Sequence, residues 1–254
     1  MTTTESTTEV TRAEICVVAC AEIFSGAGEI MASPMAPMAL LGARLARLTS
    51  EPDLLITDGE ALILADTPAI GRSGPIEGWM PFRKVFDVVA SGRRHVVMGA
   101  NQIDRYGNQN LSAFGPLQQP TRQMFGVRGA PGNTINHPTS YWVGRHSTRV
   151  FTDSVDIVSG IGYDKVDPEN PAFDDHNIHR VITNLGVFDF GGPDHTMRAL
   201  SLHPGVEAAE VAENTSFEVA GLESAGVTRQ PTAEELSIIR EVLDPKGVRN
   251  REVR

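Results

Sequence analysis

The chain has 254 residues, enough for one large α/β domain or two small ones. Hydrophobic residues make up 41% and charged residues 21%, which fits a packed core and excludes a disordered chain. A formal net charge of −10 disfavours a nucleic-acid surface, because phosphate binding needs clustered Lys and Arg.

The opening stretch MTTTESTTEVTR lacks the basic patch and apolar run of a signal peptide, and residues 1–11 read as a flexible tail. No apolar run approaches the roughly 20 residues of a membrane helix, so a cytoplasmic protein without a membrane partner is expected. Residues 11–25 predict a helix opened by a capping box, Thr11 with Glu14. Cys16 and Cys20 lie four apart on it and read as small buried hydrophobes, since a metal would need further ligands nearby. After the break at GAGE, Ser33 and Pro34 predict the start of a second helix running to about Leu48.

LLITDGEALI follows: a short buried strand over 54–57, then a turn in which Asp58 and Glu60 flank Gly59. A strand that opens into an acid-glycine-acid turn is a common seat for a catalytic carboxylate. Residues 82–90 predict a helix and HVVMGA, 95–100, a strand. NQIDRYGNQN, 101–110, leaves that strand, and its Asp104, Asn108 and Asn110 sit at the edge where open α/β sheets bind ligands, or else cap their own turn. GVRGAPGN, 126–133, is glycine-rich without the spacing of a dinucleotide fingerprint. Gly126, Gly129 and Gly132 would let backbone N–H groups, with Arg128 and Asn133, face an oxyanion; a plain tight loop is the alternative.

Later come β-type runs RVF, VDIVSG, RVITNLGVFDF and MRALSL, a short helix over 206–214, and a helix from the capping box Thr232 with Glu235 through Leu243. The tail KGVRNREVR reads as basic and exposed. The histidines of HNIH, His176 and His179, read as surface residues and not as a metal site. Early alternation of helices and strands predicts an α/β fold, an open, largely parallel sheet with helices on both faces, in one domain over 12–254.

RVITNLGVFDF, MRALSLHPGVEAAEVAENTSFEV, NQIDRYGN and the glycine loop, in this order, resemble the β subunits of family I CoA transferases over roughly residues 12–220. The resemblance implies that family's open α/β fold, a homologous α subunit in an α2β2 heterotetramer, an active site between subunits, and an acyl-CoA substrate. Coenzyme A would then enter as part of the substrate, with no bound cofactor and no metal. In the transferases a glutamate in an S-E-N-G turn attacks the acyl-CoA. Matching that glycine to Gly59 puts Thr57 in the place of the glutamate, with Asp58 next to it. In this respect the chain looks like the β subunits of the actinobacterial cholesterol ring-cleaving hydrolases, which implies hydrolysis of a ring C–C bond in a cyclic keto CoA thioester. A glutamate of the α subunit would be the base. Thr57, Asp58, Glu60, Asn101 and Asp104 would form the pocket wall, and Gly126, Arg128, Gly129, Gly132 and Asn133 the oxyanion and CoA-binding loop. A transferase using Asp58 or Glu60 as nucleophile, and a non-catalytic scaffold subunit, are the alternatives.

Overall fold

The computed structural model describes residues 9–57 and 62–253. Asp58, Glu60 and most of the expected N-terminal tail lie outside the described residues.

Helix α1 (Arg12–Glu22) starts at the expected box: Glu14 N donates to Thr11 Oγ1 at 3.3 Å, and Thr11 N donates to Glu14 Oε2 at 2.9 Å. Residues 13–21 are all buried, so the helix is enclosed on every side. Its two free cysteines are among them, and burial pushes the Cys16 thiol up to about 12. Strand β1 (Met31–Pro34) takes the place of the helix start expected at Ser33. Helix α2 (Pro37–Leu48) begins later, on Ala36, with no side-chain cap. Pro37 explains this. It fits the first helical turn, but it drives Ala36 into extended backbone (φ −138°, ψ 151°) and so keeps residues 33–36 out of the helix.

Strands β2 (Leu55–Thr57), β3 (Leu62–Leu64) and β4 (Ile76–Trp79) precede helix α3 (Phe82–Ser91) and strand β5 (Arg94–Gly99). Two small hairpins follow, β6 (Gln102–Ile103) with β7 (Gln109–Asn110), and β8 (Ala113–Phe114) with β9 (Arg122–Gln123). Next come helix α4 (Ala130–Asn136) and strand β10 (Pro138–Val143), neither of them expected from the sequence. RVF and VDIVSG make only isolated bridges, Phe151 with Ile103 and Gly160 with Gln109. Strands β11 (Asn177–Thr183), β12 (Gly186–Asp189) and β13 (Arg198–Leu202) lead to helix α5 (Ala208–Glu213), strand β14 (Gly226–Val227) and helix α6 (Ala233–Ser237). The second capping box opens α6, and the chain then winds as a π-helix over Ile238–Leu243.

Among the described residues, ten strands form one sheet in the order β14-β13-β12-β11-β10-β5-β1-β2-β3-β4. The central five, β11, β10, β5, β1 and β2, are parallel, and β3, β4, β12 and β13 add antiparallel pairs at the flanks. Side-chain alternation sends Ala32, Ile56, Val97, Trp142 and Ile182 to one face, where α1, α2 and the π-helix bury them. Val96, Met98, Tyr141, Val143 and Val181 go to the other, packed with Ala130 of α4 and Val211 of α5.

The C-terminal segment corrects an expectation. Arg249 is buried, not exposed: its Nη1 donates to Asp244 Oδ2 at 3.0 Å and its Nη2 to Glu14 Oε1 at 2.9 Å, while Arg240 Nε donates to the same oxygen at 2.7 Å. Burial raises the Glu14 carboxyl. The bonds from Arg240 and Thr11 and the charge of Arg249 outweigh it and hold the group at about 2.

Candidate active site

The order in which strands are added reverses at β1, with β2 on one side and β5 on the other, and ligands of open α/β sheets bind beside such a switch point. Here the second face of the sheet changes character. Level with Val96 and beyond it, toward β10, that face is core. Across β5, β1 and β2 it carries Arg94, Met31, Ser33 and Thr57, and above them lies a cavity of about 940 Å³. The register fixes this arrangement: Ala32 pairs with Ile56 and His95, so their neighbours Met31, Ser33, Thr57 and Arg94 point the opposite way.

Helices α3 and α4 roof the cavity. From α3 come Phe82, Val85, Phe86 and Val89, and from the start of α4 come Pro131, Gly132 and Asn133. No residue of α3 is buried: Phe82 is 76% exposed and Phe86 60%, their rings meeting edge to face at 5.3 Å. Ile76, Trp79, Leu117 and Phe125 are also exposed. The exposed rings of α3 belong to the cavity roof, the pattern expected where another protein completes a site.

The glycine loop is half loop and half helix. Gly126 has φ +78° and Arg128, a non-glycine, φ +49°, a left-handed conformation that costs a non-glycine residue about 1–2 kcal/mol. Gly129 then has ordinary helical backbone (φ −85°) as the cap of α4, so its backbone alone does not require glycine. Gly132 packs closely on α3: a Cβ there would stand 2.7 Å from Val89 Cγ1, so the valine side chain or the helix would have to shift. Thr57, Arg128, Gly129, Gly132 and Asn133 therefore all line one cavity, whereas Gly126 does not.

Asn101 and Asp104 lie elsewhere. Asn101 is exposed, and Asp104 is buried in its own turn, accepting from Tyr106 N, Asn108 N and Asn108 Nδ2 at 2.8–3.1 Å. Burial raises its carboxyl despite those bonds. This is the Asx-turn alternative of the sequence reading. His176 and His179 are half-buried, not on the surface. His176 Nδ1 donates to Thr134 O at 2.6 Å, and the His179 ring meets His95 edge-on at 5.3 Å. Among the described residues no three His, Cys, Asp or Glu side chains gather as a metal site would require.

Sequence reasoning missed Arg94 and the α3 side chains of the roof, while Gly132 and Asn133 of α4 were among its candidates. Arg94 is 5% exposed; its Nη2 donates to Asn133 Oδ1, its Nε is buried without a partner, and burial pulls its pKa down to about 10. GRRHVVMG does carry a signal: with Val96 and Val97 on opposite faces of a buried strand, Arg94 must point inward.

The cavity's described lining contains no Asp, Glu, His or Cys. It offers an apolar chamber with one guanidinium at its floor, a second at its mouth, and polar Ser33, Thr57 and Asn133 between. Such a chamber can orient an acyl group and stabilise negative charge, and among its described residues none is a base.

No protein-family model matches the chain. It is 81% identical over 249 residues, 98% of each chain, to the cholesterol ring-cleaving hydrolase IpdB subunit of Rhodococcus jostii RHA1. The crystal structure of Rhodococcus jostii RHA1 IpdAB includes a chain that superposes with a TM-score of 0.96 at 81% identity, covering 97% of this chain and all of that one. Glutaconate coenzyme A-transferase from Acidaminococcus fermentans shares the fold, with a TM-score of 0.80 at 23% identity over 95% of this chain and 97% of that one.

Proposed function

The chain belongs to the IpdB family of cholesterol ring-cleaving hydrolase subunits, built on the CoA-transferase fold, and from that premise we propose that it is the β half of a hydrolase that opens a steroid-derived ring. It works with a homologous α subunit, in an α2β2 assembly, on a cyclic keto CoA thioester. The observation that carries this is the cavity: an apolar wall and roof with Thr57 at the strand end and no proton-transferring carboxylate among its described residues.

The chemistry divides accordingly. A carboxylate of the α subunit takes a proton from water, and the hydroxide adds to the ring ketone. The adduct collapses to a carboxylic acid as the bond to the neighbouring ring carbon breaks. That bond's electron pair passes into the thioester carbonyl as an enolate, and the carbon is then reprotonated by the same carboxyl group. This chain holds the ring against Met31, Met35, Met80 and the α3 side chains. The residues around Arg128 and Gly129 face the charge that develops on the thioester oxygen.

The test is co-expression with the α subunit and hydrolysis of the ring thioester by the complex and by each chain alone. Only the complex should turn over. Borohydride trapping with acyl-CoA, followed by peptide mapping, separates this from a transferase. Thr57 has no carboxyl group to form the enzyme–CoA thioester that borohydride reduces to an alcohol, so a reduced Asp58 or Glu60 would establish transferase chemistry instead.

A further inference from the structure

We propose that two hydroxyl side chains of this chain activate the ring ketone of the substrate: Ser33 Oγ donates a hydrogen bond to the ketone oxygen, and Thr57, level with it on the next strand, closes the other side of that oxygen's site. The inference rests on the reading of the cavity as the acyl pocket of a ring-opening hydrolase. It adds donors for the first of the two negative charges that the reaction develops.

The placement follows from the sheet. Strands β1 and β2 run parallel, with Met31 paired to Leu55 and Ala32 to Ile56, so the next residues along, Ser33 and Thr57, are level neighbours. Ala32 and Ile56 are wholly buried in the core beneath α1 and α2, which leaves both hydroxyl residues on the cavity side. Adjacent strands lie about 4.8 Å apart, so an oxygen atom resting between the two side chains comes within hydrogen-bond reach of both. The pair stands at the carboxyl ends of these strands, beside the switch point.

Three features make this a built site. Pro34 follows Ser33 and confines it to extended backbone, so strand geometry sets where its hydroxyl points. Thr57 is 6% exposed and Ser33 half-buried, so both are shielded from bulk water yet line the cavity. None of the described hydrogen bonds engages the Ser33 hydroxyl, whereas Arg94 and Asn133, two further polar groups of the lining, are bonded to each other. A hydroxyl that faces an apolar chamber without a protein partner is a donor kept for an oxygen of the ligand.

The chemistry calls for such donors. When hydroxide adds to the ketone carbon, a C–O bond forms and the carbonyl π pair moves onto oxygen as an alkoxide. When that pair returns to remake the C=O bond, the ring C–C bond breaks and its electrons pass to the thioester. Negative charge thus appears on two oxygens in turn. The residues around Arg128 and Gly129 serve the second, and Ser33 and Thr57 the first. Donors already aimed at the ketone oxygen bond more strongly as charge grows there, which lowers the barrier to addition. The ligand class this selects is a CoA thioester with an oxygen on the ring carbon next to the one that bears the thioester.

The experiment uses the assembled α–β complex. Steady-state hydrolysis of the ring thioester is measured for wild type, Ser33→Ala, Ser33→Cys, Thr57→Val and Thr57→Ser. Ser33→Ala should lower kcat roughly 100-fold with KM within about threefold, the signature of a bond made mainly in the transition state. Ser33→Cys, which nearly keeps the volume and loses the strong donor, should match it. Thr57→Val should lower kcat roughly 10-fold, and Thr57→Ser should stay near wild type. Binding is read separately, by calorimetry, with two probes that have no ketone to cleave, 2-hydroxycyclohexane-carboxyl-CoA and cyclohexane-carboxyl-CoA. Wild type should prefer the alcohol about fivefold, the scale of one neutral hydrogen bond, and Ser33→Ala should abolish the preference. A kcat for Ser33→Ala within about threefold of wild type would overturn the proposal, as would a loss confined to KM. No preference for the alcohol in wild type, or an equal weakening of both probes in Ser33→Ala, would overturn it too. If Ser33→Ala does not assemble, Ser33→Cys decides. A complex that prefers the alcohol through Ser33 but never opens the ring thioester would refute the hydrolase reading and leave the oxygen site standing.

Discussion

Arg249 Nη2 donates to Glu14 Oε1 at 2.9 Å, joining side chains 235 residues apart. The end of the chain is thereby bolted to its first helix through a buried carboxylate that Arg240 also holds. Arg249→Ala leaves Glu14 with one cation and Asp244 with none among the described pairs. We expect a loss of about 3 kcal/mol, at the lower end for a broken buried pair because Arg240 remains. Urea unfolding of the complex measures it, and a loss under about 1 kcal/mol would show that Arg240 alone suffices.

Gly42 gives a second stability prediction. Helices α1 and α2 approach so closely that a Cβ on Gly42 would stand 2.4 Å from Cys20 Cβ and 2.7 Å from Cys20 carbonyl carbon. Backbone cannot yield as a side-chain tip can, so Gly42→Ala must separate the helices. The expected cost is about 2–3 kcal/mol, seen as a lower denaturation midpoint with an unchanged slope. Cys20→Ala would not rescue it, since Ala keeps the same Cβ.

Acid should unfold this chain early. Burial holds His95 and His146 at about 3 and His203 at about 4, against an ordinary 6.5. These are depressed values, so below pH 6.5 the unfolded chain takes up protons that the folded chain refuses. Stability is whole above pH 6.5 and falls as the pH drops toward 4, by roughly 4 kcal/mol per pH unit for the three together. Glu14, held at about 2 against 4.5, loses its contribution only between those values, later in the descent. Circular dichroism against pH should show loss of structure near pH 5. A fully folded chain at pH 4 would mean that these rings accept protons in place.

The exposed face of α3 carries a prediction about assembly. Phe82→Asp together with Phe86→Asp places two charges on the apolar roof without touching a buried residue. The fold of this chain should survive, and its affinity for the α subunit should drop at least about 100-fold. Sedimentation of the mixed subunits measures this. Unchanged assembly would place the partner on another face.

Features set by local chemistry were legible in the sequence. Both capping boxes, Thr11 with Glu14 and Thr232 with Glu235, formed as expected, because each needs only residues three apart. Strand β2, helix α3 and strand β5 followed from their apolar runs. Elements that depend on distant packing were not legible. Helix α4 hides in a stretch rich in glycine and proline, where Pro131 is tolerated only because it sits in the first turn. Ser33 looked like a cap until Pro37 moved the helix start. Arg249 looked solvated because its partner lies 235 residues away. At the cavity, Thr57 was singled out by the family resemblance and the loop from Arg128 to Asn133 by its glycines, and both line it. Arg94 escaped because the basic dipeptide masked the strand alternation that buries it, and its place on the cavity floor is set by the pairing of β1 with β5.

The bare underside of α3 has a consequence for how activity depends on amount. A chamber roofed in part by a helix with no buried residue is stiff there only while something presses on it from outside. Competence and association are then a single equilibrium, so specific activity should fall on simple dilution, well before any loss of helix or sheet. In the cell, output would track the scarcer of two gene products, and surplus copies of this chain would be idle protein with a greasy flank.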